Sequence, residues 1–311
     1  MQQVPATVDY LATRACPTCG GTRTRPRVRA RLPAETLSWN DLREDWTGYF
    51  KEKTFFTYAR CLDCGLLYNP VYFAETALNQ LYGHMPDNTA GQDVSMLART
   101  QERYWVFAQR EGLPPGDYLE LGPDAGLLIP SAIRHMPGAK LWLYEPNVAV
   151  HAELGRRTGG RAHEIRTEMS DFSAVPDGTI GLCVMIHVLD HLPDPLLVVR
   201  QLARKLRPDG RLLVVTHDER SSLARLLGRR WLAYCLQHPQ LFNRHSTHEF
   251  LRHGGLEVIA TRKSVNYFPA TYLLKHLLYA LGLHAVKTWR WNAFTLPLKL
   301  GNIITVARLT H

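Results

Sequence analysis

The clearest indication of fold class in this chain is the sequence YLELGPDAG at residues 118–126. An apolar run ends around the acidic Glu120, and a turn that carries Gly122 and Gly126 follows at once. In a parallel α/β sheet, such a turn connects the first strand to its helix at the carboxyl edge, where ligands bind and the backbone must approach them closely. The stretch therefore predicts a ligand site at the start of an α/β domain.

The turn departs from the glycine-rich loop of dinucleotide-binding proteins, because Pro123 and Asp124 occupy its middle. It favours a smaller charged group over a pyrophosphate. The next apolar run ends in Glu145 and Pro146, with Glu145 lying 25 residues after Glu120. A carboxylate at the tip of the second strand typically hydrogen-bonds the ribose of a nucleoside cofactor. The alternative is that Glu145 only caps the following helix.

Short apolar runs alternate with helical patterns outward from this turn, which indicates βαβ units and a parallel sheet. Strands are predicted at 117–121, 139–144, 180–186 and 211–216, and helices at 127–135, 149–158 and 195–206. A helix at 247–254, with Ser246 or Thr247 as its N-cap, precedes two late strands at 256–266 and 303–309. The expected fold class is α/β with a Rossmann-like sheet.

Two matching CxxCG motifs lie near the N-terminus, with 41 residues between Cys19 and Cys61, and present Cys16, Cys19, Cys61 and Cys64. Four thiolates arranged as two such pairs can close a tetrahedral shell around Zn²⁺, which leaves no open position for catalysis. We predict a structural zinc site; a site that has lost its metal and a redox pair are the alternatives. The predicted zinc-binding module spans residues 1–80, and a second domain spans 81–311.

The 311 residues have a formal net charge of +9 and are 45% hydrophobic, enough for a full-sized core. The charge permits partners with phosphates or anionic membranes and fixes neither. No secretory signal pattern and no run of about 18 apolar residues is present, so a cytoplasmic location is expected. An insertion at about 269–299 is basic and amphipathic. This pattern predicts a segment that lies on the inner membrane face or closes over a hydrophobic acceptor. The alternative is a helix that packs in the core or at a dimer interface.

Two further segments, PDGTIGLCVMIHVLDHLPDP at 176–195 and LRPDGRLLVVT at 206–216, complete an ordered set of four motifs. The set resembles the class I S-adenosylmethionine-dependent methyltransferases over about residues 81–311. The segment CLDCGLLYNP at 61–70 resembles the zinc-binding module that precedes the catalytic domain in bacterial sugar and natural-product methyltransferases. The resemblance implies a seven-stranded sheet and S-adenosylmethionine as the cofactor.

The resemblance also implies cofactor contacts, and these fall at four places. The methionine end of the cofactor is expected to contact Glu120, Gly122, Pro123, Asp124 and Gly126. The ribose is expected at Glu145 and Pro146, and the adenine near 168–172, where Glu168 and Asp171 are the candidates. His187 is expected beside the cofactor.

Three histidines are the candidate catalytic residues. His187 and His191 lie four residues apart at the predicted mouth of the sheet, and His217 follows the fifth strand at the same edge. A hydroxyl acceptor needs a base, for which imidazole is suited, and the spacing favours His187 or His191. Alternatively, these histidines position the cofactor or cap a helix. A metal pair from HxxxH is not favoured, because the glutamate of an HExxH site is absent.

By position, His238, His245 and His248 are expected to line the acceptor pocket. The leading expectation is O-methylation of a small molecule, sugar, glycan or glycolipid. The alternative is an RNA methyltransferase that uses the zinc module and its arginine strip, which consists of Arg23, Arg25, Arg27, Arg29 and Arg31. Against this, the run after the fourth strand lacks the Asn/Asp-Pro-Pro-aromatic pattern for a flipped base. A binding module with a degenerate domain, and a homodimer, also stay open.

Overall fold

The protein is described from a computed structural model, which covers residues 10–46, 54–83, 94–269, 274, 295–299 and 301–310. Seven strands form the main sheet, and across it they lie in the order β12 (Leu256–Lys263), β15 (Asn302–Leu309), β10 (Leu206–His217), β9 (Ile180–Ile186), β6 (Asp117–Leu121), β7 (Leu141–Tyr144) and β8 (His163–Arg166). Neighbours from β10 to β8 are parallel, whereas β15 is antiparallel to both β10 and β12. The predicted Rossmann-like sheet of seven strands is confirmed.

Helices cover both faces of this sheet. One hydrophobic core contains side chains of α3 (Val94–Arg110), α4 (Ile129–His135) and α5 (His151–Arg157), and another contains those of α6 (Pro195–Lys205) and α8 (Arg244–His253). Side chains alternate along a strand, so in β9 Cys183 and Met185 enter one core while Leu182 and Val184 enter the other. Burial on both faces is the reason why the central strands read as unbroken apolar runs.

Helix α8 begins earlier than its sequence pattern predicted. Its N-cap is Asn243, whose side chain accepts from the backbone N–H of Ser246, while the Ser246 hydroxyl accepts from the Asn243 N–H. The prediction of Ser246 or Thr247 as the N-cap was therefore wrong. Ser246 occupies the third helical position and completes a reciprocal capping box instead.

The N-terminal region contributes β1 (Leu11–Thr13), β2 (Thr24–Val28), α1 (Trp39–Asp45), β3 (Tyr58–Cys61), β4 (Leu67–Tyr68), β5 (Val71–Phe73) and α2 (Glu75–Gly83). Strands β2, β3 and β4 form a four-stranded sheet whose fourth member, β11 (Gln240–Leu241), comes from far along the chain. Cys16, Cys61 and Cys64 also lie in the hydrophobic core that contains α6 and α8. The predicted boundary near residue 80 stays a prediction, and the two regions share a sheet and a core.

The remaining elements are α7 (Ser222–Leu227), β13 (Asn266–Pro269) and β14 (Thr295–Leu298). Strands β13 and β14 pair antiparallel and bring the two ends of the predicted insertion together. Most of that insertion, and its expected amphipathic stripe, lies outside the described residues. None of the described helices has the length and apolar character needed to cross a bilayer.

Candidate functional site

The turn after β6 has the close-packed geometry that its glycines predict. Gly122, Asp124 and Gly126 all have left-handed backbones, with φ of 65°, 48° and 66°. A Cβ on Gly122 would lie 2.9 Å from Val188 Cγ2, and one on Gly126 would lie 2.7 Å from Leu154 Cδ2. Only glycine therefore fits these two positions, and the backbone itself forms the surface at this edge of the sheet.

Glu145 connects the second strand tip to this turn. Its carboxylate accepts from the backbone N–H of Asp124 and from that of Asn147, both at 2.9 Å. The following helix α5 has Val150 as its N-cap, so Glu145 does not cap that helix. The side chain is buried, and burial raises its pKa.

Glu120 is the second acid at this edge. It is 2% exposed and accepts a hydrogen bond of 2.7 Å from the Tyr118 hydroxyl. Burial raises the pKa of Glu120 to about 7. A carboxyl group in this state is poised to ionise when a cation binds next to it.

These residues fit the cofactor that the resemblance implies. Two buried acids flank a turn that leaves backbone, not side chain, at the strand tips, which suits a nucleoside with a positively charged tail. Pro146 is exposed beside Glu145. Glu168 and Asp171 are exposed in the loop after β8, and among the hydrogen bonds of the described residues none joins either acid to the turn.

A cluster of histidines lies at the carboxyl ends of β9 and β10. At its centre the fully buried Asp190 accepts from His217 twice, from the ring Nδ1 at 2.7 Å and from the backbone N–H at 3.1 Å. Because Nδ1 donates to the carboxylate, the neutral His217 ring has its lone pair on Nε2.

His187 is held differently from His217, although their ring centroids are 4.5 Å apart. It has a left-handed backbone with φ of 53°, which is uncommon outside glycine and is fixed by a hydrogen bond from its N–H to the Val215 carbonyl. Its Nε2 lies 3.2 Å from the amide Nδ2 of Asn302 and accepts from it. Burial lowers the pKa of His187 to about 3, so this ring stays neutral.

His191 pairs with His238, and their Nε2 atoms are 3.2 Å apart. Burial lowers the pKa of His191. Burial also acts to lower the pKa of His238, but Cys235, Asp190 and the Ala233 carbonyl overcome it and raise that pKa to about 9. The Nδ1 of His238 donates to Ala233 O at 2.8 Å, and its Nε2 engages the Nε2 of His191.

The same cluster offers ligand atoms for a metal ion. One atom each from His187, Asp190 and His217 lies within 4.8 Å of the other two. The sequence did not favour a metal held by His187 and His191, and the group of possible ligands in the structure contains Asp190 and His217 in place of His191.

The four predicted zinc ligands meet in one place. Cys16 Sγ lies 3.4 Å from Cys64 Sγ, Cys19 Sγ lies 3.6 Å from Cys61 Sγ, and all four atoms are within 4.8 Å of one another. A tetrahedral zinc with bonds of about 2.3 Å has sulfur–sulfur edges of about 3.8 Å, so the cluster fits this ion.

The two cysteine turns are built alike. Gly20 and Gly65 have φ of 71° and 76°, and each donates its N–H to the carbonyl of the first cysteine in its pair, Cys16 or Cys61. The glycine in each CxxCG motif is therefore required by a left-handed turn.

A separate pocket of about 400 Å³ begins one residue after His217 and is lined by Asp218, Arg220, Asn243, Arg244, His245 and His248. Their positions in the sequence predicted that His238, His245 and His248 line one acceptor pocket. The structure divides them, because His238 joins the histidine cluster and the other two line this pocket.

Sequence reasoning missed two residues of the cluster. Asp190 stands between His187 and His191 in the HVLDH motif, so its position was a usable signal. Asn302 begins the last strand, and nothing in its sequence context indicates that it reaches His187.

Comparisons with known proteins agree with this fold. Residues 97–261 match the protein family described as "Methyltransferase domain". A ubiquinone biosynthesis O-methyltransferase of Marinobacter nauticus is 25% identical over 167 residues, which are 50% of this chain and 70% of that protein.

Two solved structures are similar at low identity. A SAM-dependent methyltransferase from Aquifex aeolicus is 13% identical, with a TM-score of 0.48 over 70% of this chain and 94% of that one. A chain of the complex between the Haloferax volcanii Trm112 methyltransferase activator and a putative methyltransferase is 14% identical, with a TM-score of 0.48 over 68% and 92% of the two chains. Because the family match spans more than half of the 311 residues, the chain belongs to the methyltransferase domain family and is an S-adenosylmethionine-dependent methyltransferase.

Proposed function

We propose that this enzyme methylates a hydroxyl oxygen of a small molecule, a sugar or a glycan, and that His217 accepts the hydroxyl proton. The observation that carries the proposal is the 2.7 Å hydrogen bond between His217 Nδ1 and the buried Asp190. A carboxylate on one ring nitrogen orients the imidazole and stabilises the imidazolium that forms. A hydroxyl is a poor nucleophile until a base accepts its proton, and a positioned base contributes about 10²- to 10⁴-fold.

The three candidate histidines differ in which nitrogen lone pair is available. The Nε2 of His187 accepts from Asn302, and that of His191 is engaged by the Nε2 of His238. The side chain of His217 is 24% exposed and its Nδ1 is engaged, which leaves Nε2 for a substrate. This favours His217 over the two histidines that the sequence favoured, and we assign His187 and His191 to the wall of the acceptor site.

Bound S-adenosylmethionine supplies the methyl group on its sulfonium. We assign its ribose hydroxyls to Glu145, and its charged methionine end to the turn at 122–126 and to Glu120. Transfer of a methyl group needs alignment and removal of water more than covalent help, so these residues act by positioning.

We also propose that Cys16, Cys19, Cys61 and Cys64 hold a structural Zn²⁺. The sulfur separations and the paired turns support this assignment. A closed four-sulfur site leaves the metal no open position, so it stabilises the fold and takes no part in methyl transfer.

RNA methylation is a second candidate with one supporting observation. Arg25, Arg27 and Arg29 are exposed on and beside β2, which is an edge strand of the four-stranded sheet. Arginines in such a row can contact phosphates, and affinity would then fall steeply as salt rises.

The test is methyl transfer from labelled S-adenosylmethionine into fractionated cell extract, with cofactor affinity measured by calorimetry. We compare the wild-type chain with His217→Gln, Asp190→Asn and the matched control His253→Gln. The first two variants should lose about 10²-fold or more of the rate with unchanged cofactor affinity. The control should retain the rate, because His253 is the last residue of α8 and belongs neither to the histidine cluster nor to the pocket lined by His245 and His248.

Label in a saccharide, lipid or metabolite fraction supports the proposal. Label in RNA, with salt-sensitive binding, replaces it with the second candidate. A His217→Gln enzyme with wild-type kcat overturns the assignment of the base. Activity that EDTA abolishes and Mn²⁺ restores would instead assign His187, Asp190 and His217 to a metal.

A further inference from the structure

The pocket beside the histidine cluster is outside the machinery proposed for methyl transfer. It lies between the loop that follows β10 and the first turn of α8, where Arg244 and His245 are the first two helical residues. Its volume of about 400 Å³ is within the range of small-ligand sites. It therefore has room for a substrate group next to the proposed base.

Two arginines, Arg220 and Arg244, line this pocket against a single carboxylate, that of Asp218. In the described part of the chain, no carboxylate oxygen lies within 4 Å of the Arg244 guanidinium. Arg220 has Glu219 at 3.5 Å, but that carboxylate already binds both arms of Arg60 and the amide of Asn243. The two lining arginines are exposed and only weakly compensated.

The lining also contains the ionisable groups of His245, His248 and Asp218. Burial lowers the pKa of His248, and Arg244 and His245 lower it further. Asp218 is the acid of the lining; it is 8% exposed, and burial raises its pKa. The Asp218 side chain accepts from the Arg220 N–H at 3.0 Å, so it faces a donor of its own loop. The lining residues therefore include two guanidinium groups and one carboxylate.

We infer that this pocket binds a phosphate or diphosphate group carried by the methyl acceptor. Two guanidinium groups suit phosphate oxygens because each can donate two parallel hydrogen bonds. The imidazole of His245 adds a donor, as do the backbone N–H groups of Arg244 and His245 at the start of α8. The inference rests on the proposed function, because the pocket begins one residue after His217 and would hold an acceptor whose hydroxyl reaches that base.

The direct test is calorimetric titration of the full chain with pyrophosphate. Arg220→Gln and Arg244→Gln should each weaken binding about tenfold, because each removes a charge-assisted contact. Arg252→Gln is the matched control: it is on the same helix, exposed, and paired with Glu249. It should bind pyrophosphate like the wild type.

Two results would overturn the inference: a wild-type chain that does not bind pyrophosphate, or Arg244→Gln and Arg252→Gln chains that bind it equally. Circular dichroism checks that each variant is folded. If the chain transfers methyl groups but does not bind pyrophosphate, this inference alone is contradicted. If the chain binds pyrophosphate but methylates no acceptor, the proposed function is contradicted.

The phosphate can come from a soluble ester or from a lipid-linked acceptor. Competition with labelled pyrophosphate by glucose 1-phosphate assigns a soluble ester. Competition only by phosphatidylcholine vesicles that contain a polyprenyl phosphate assigns a lipid-linked one. Competition by either compound supports phosphate binding in the pocket. If neither compound nor unlabelled pyrophosphate displaces the label, phosphate binding in the pocket is contradicted.

Discussion

Glu120 is the residue in the cofactor region whose charge is most sensitive to pH. Burial raises its pKa from the ordinary 4.5 to about 7, and Glu145 and Asp124 add repulsion. The folded chain therefore binds an extra proton between these two pH values. Its contribution to stability is fully present below about pH 4.5 and is lost as the pH rises through about 7.

We expect this carboxyl group to lower the free energy of unfolding by up to about 3 kcal/mol between about pH 5 and about pH 8. Glu120→Gln should remove that slope, which urea unfolding at a series of pH values measures. Cofactor affinity should rise over the same range, because a cationic ligand favours the ionised carboxylate. Identical slopes in the wild type and the variant would contradict the assignment.

Substitution of Gly122 tests whether the turn requires glycine because of close packing or only because of its left-handed backbone. Gly138 has a similar φ of 83°, but a Cβ there would meet nothing within 4 Å. Gly138→Ala should cost about 1 kcal/mol of backbone strain and leave cofactor binding unchanged. Gly122→Ala should cost more and weaken cofactor binding, because its Cβ meets Val188. Equal losses in unfolding and calorimetry experiments would show that only the backbone conformation matters.

The catalytic residues show what a sequence can and cannot predict at this scale. The pattern placed His187, His191 and His217 at one edge of the sheet, and the structure brings His187 and His217 within ring contact. It could not rank them, because the ranking depends on which nitrogen each ring has free. That depends on Asp190, Asn302 and His238, whose contacts span up to 115 residues of sequence.

The elements were predictable where burial left a periodic signal. Strands β6 and β9 lie at the predicted positions, because both their faces are buried and they read as apolar runs. Strand β11 has only two residues, and its partner β4 is distant in sequence, so no local pattern indicated it. The start of α8 was missed for a different reason, since several residues near Asn243 are good N-caps.

A buried ion pair joins β3 to the loop that follows β10. Arg60 binds both oxygens of Glu219, at 2.8 and 3.0 Å, and the two side chains are 16% and 5% exposed. Arg60→Met should lower the free energy of unfolding by about 3 kcal/mol, because it leaves a buried carboxylate without its partner. The loss should be much smaller in Arg60→Met combined with Glu219→Met. A double-mutant cycle in urea measures both.

The control for this pair is Arg23→Met. Arg23 pairs with Asp63 at the surface, where its side chain is 74% exposed, so its loss should cost at most about 1 kcal/mol. If Arg60→Met cost no more than Arg23→Met, the buried pair would not connect the two elements energetically.

At the scale of the whole molecule, the sequence suggested two consecutive domains, and the structure shows how closely they are joined. Composition changes near residue 80, but contacts between distant segments leave no mark in composition. Cys16, Cys61 and Cys64 share a core with Val188 and Leu192, which lie beside the histidine cluster. Strand β11 also completes the N-terminal sheet from the other side.

This sharing predicts how the chain responds to loss of the proposed zinc. The wild type should contain about one zinc per chain by atomic absorption, and Cys19→Ser should lose it. Because the cysteines lie in the core that also holds α6 and α8, Cys19→Ser should lower the melting temperature of the single main transition by about 5 °C or more. Cys235 does not belong to the group of four cysteines, so Cys235→Ser should retain the metal and the melting temperature. A metal-free chain that melts in two separate steps, with the main step unchanged, would show that the N-terminal region unfolds independently of the methyltransferase sheet.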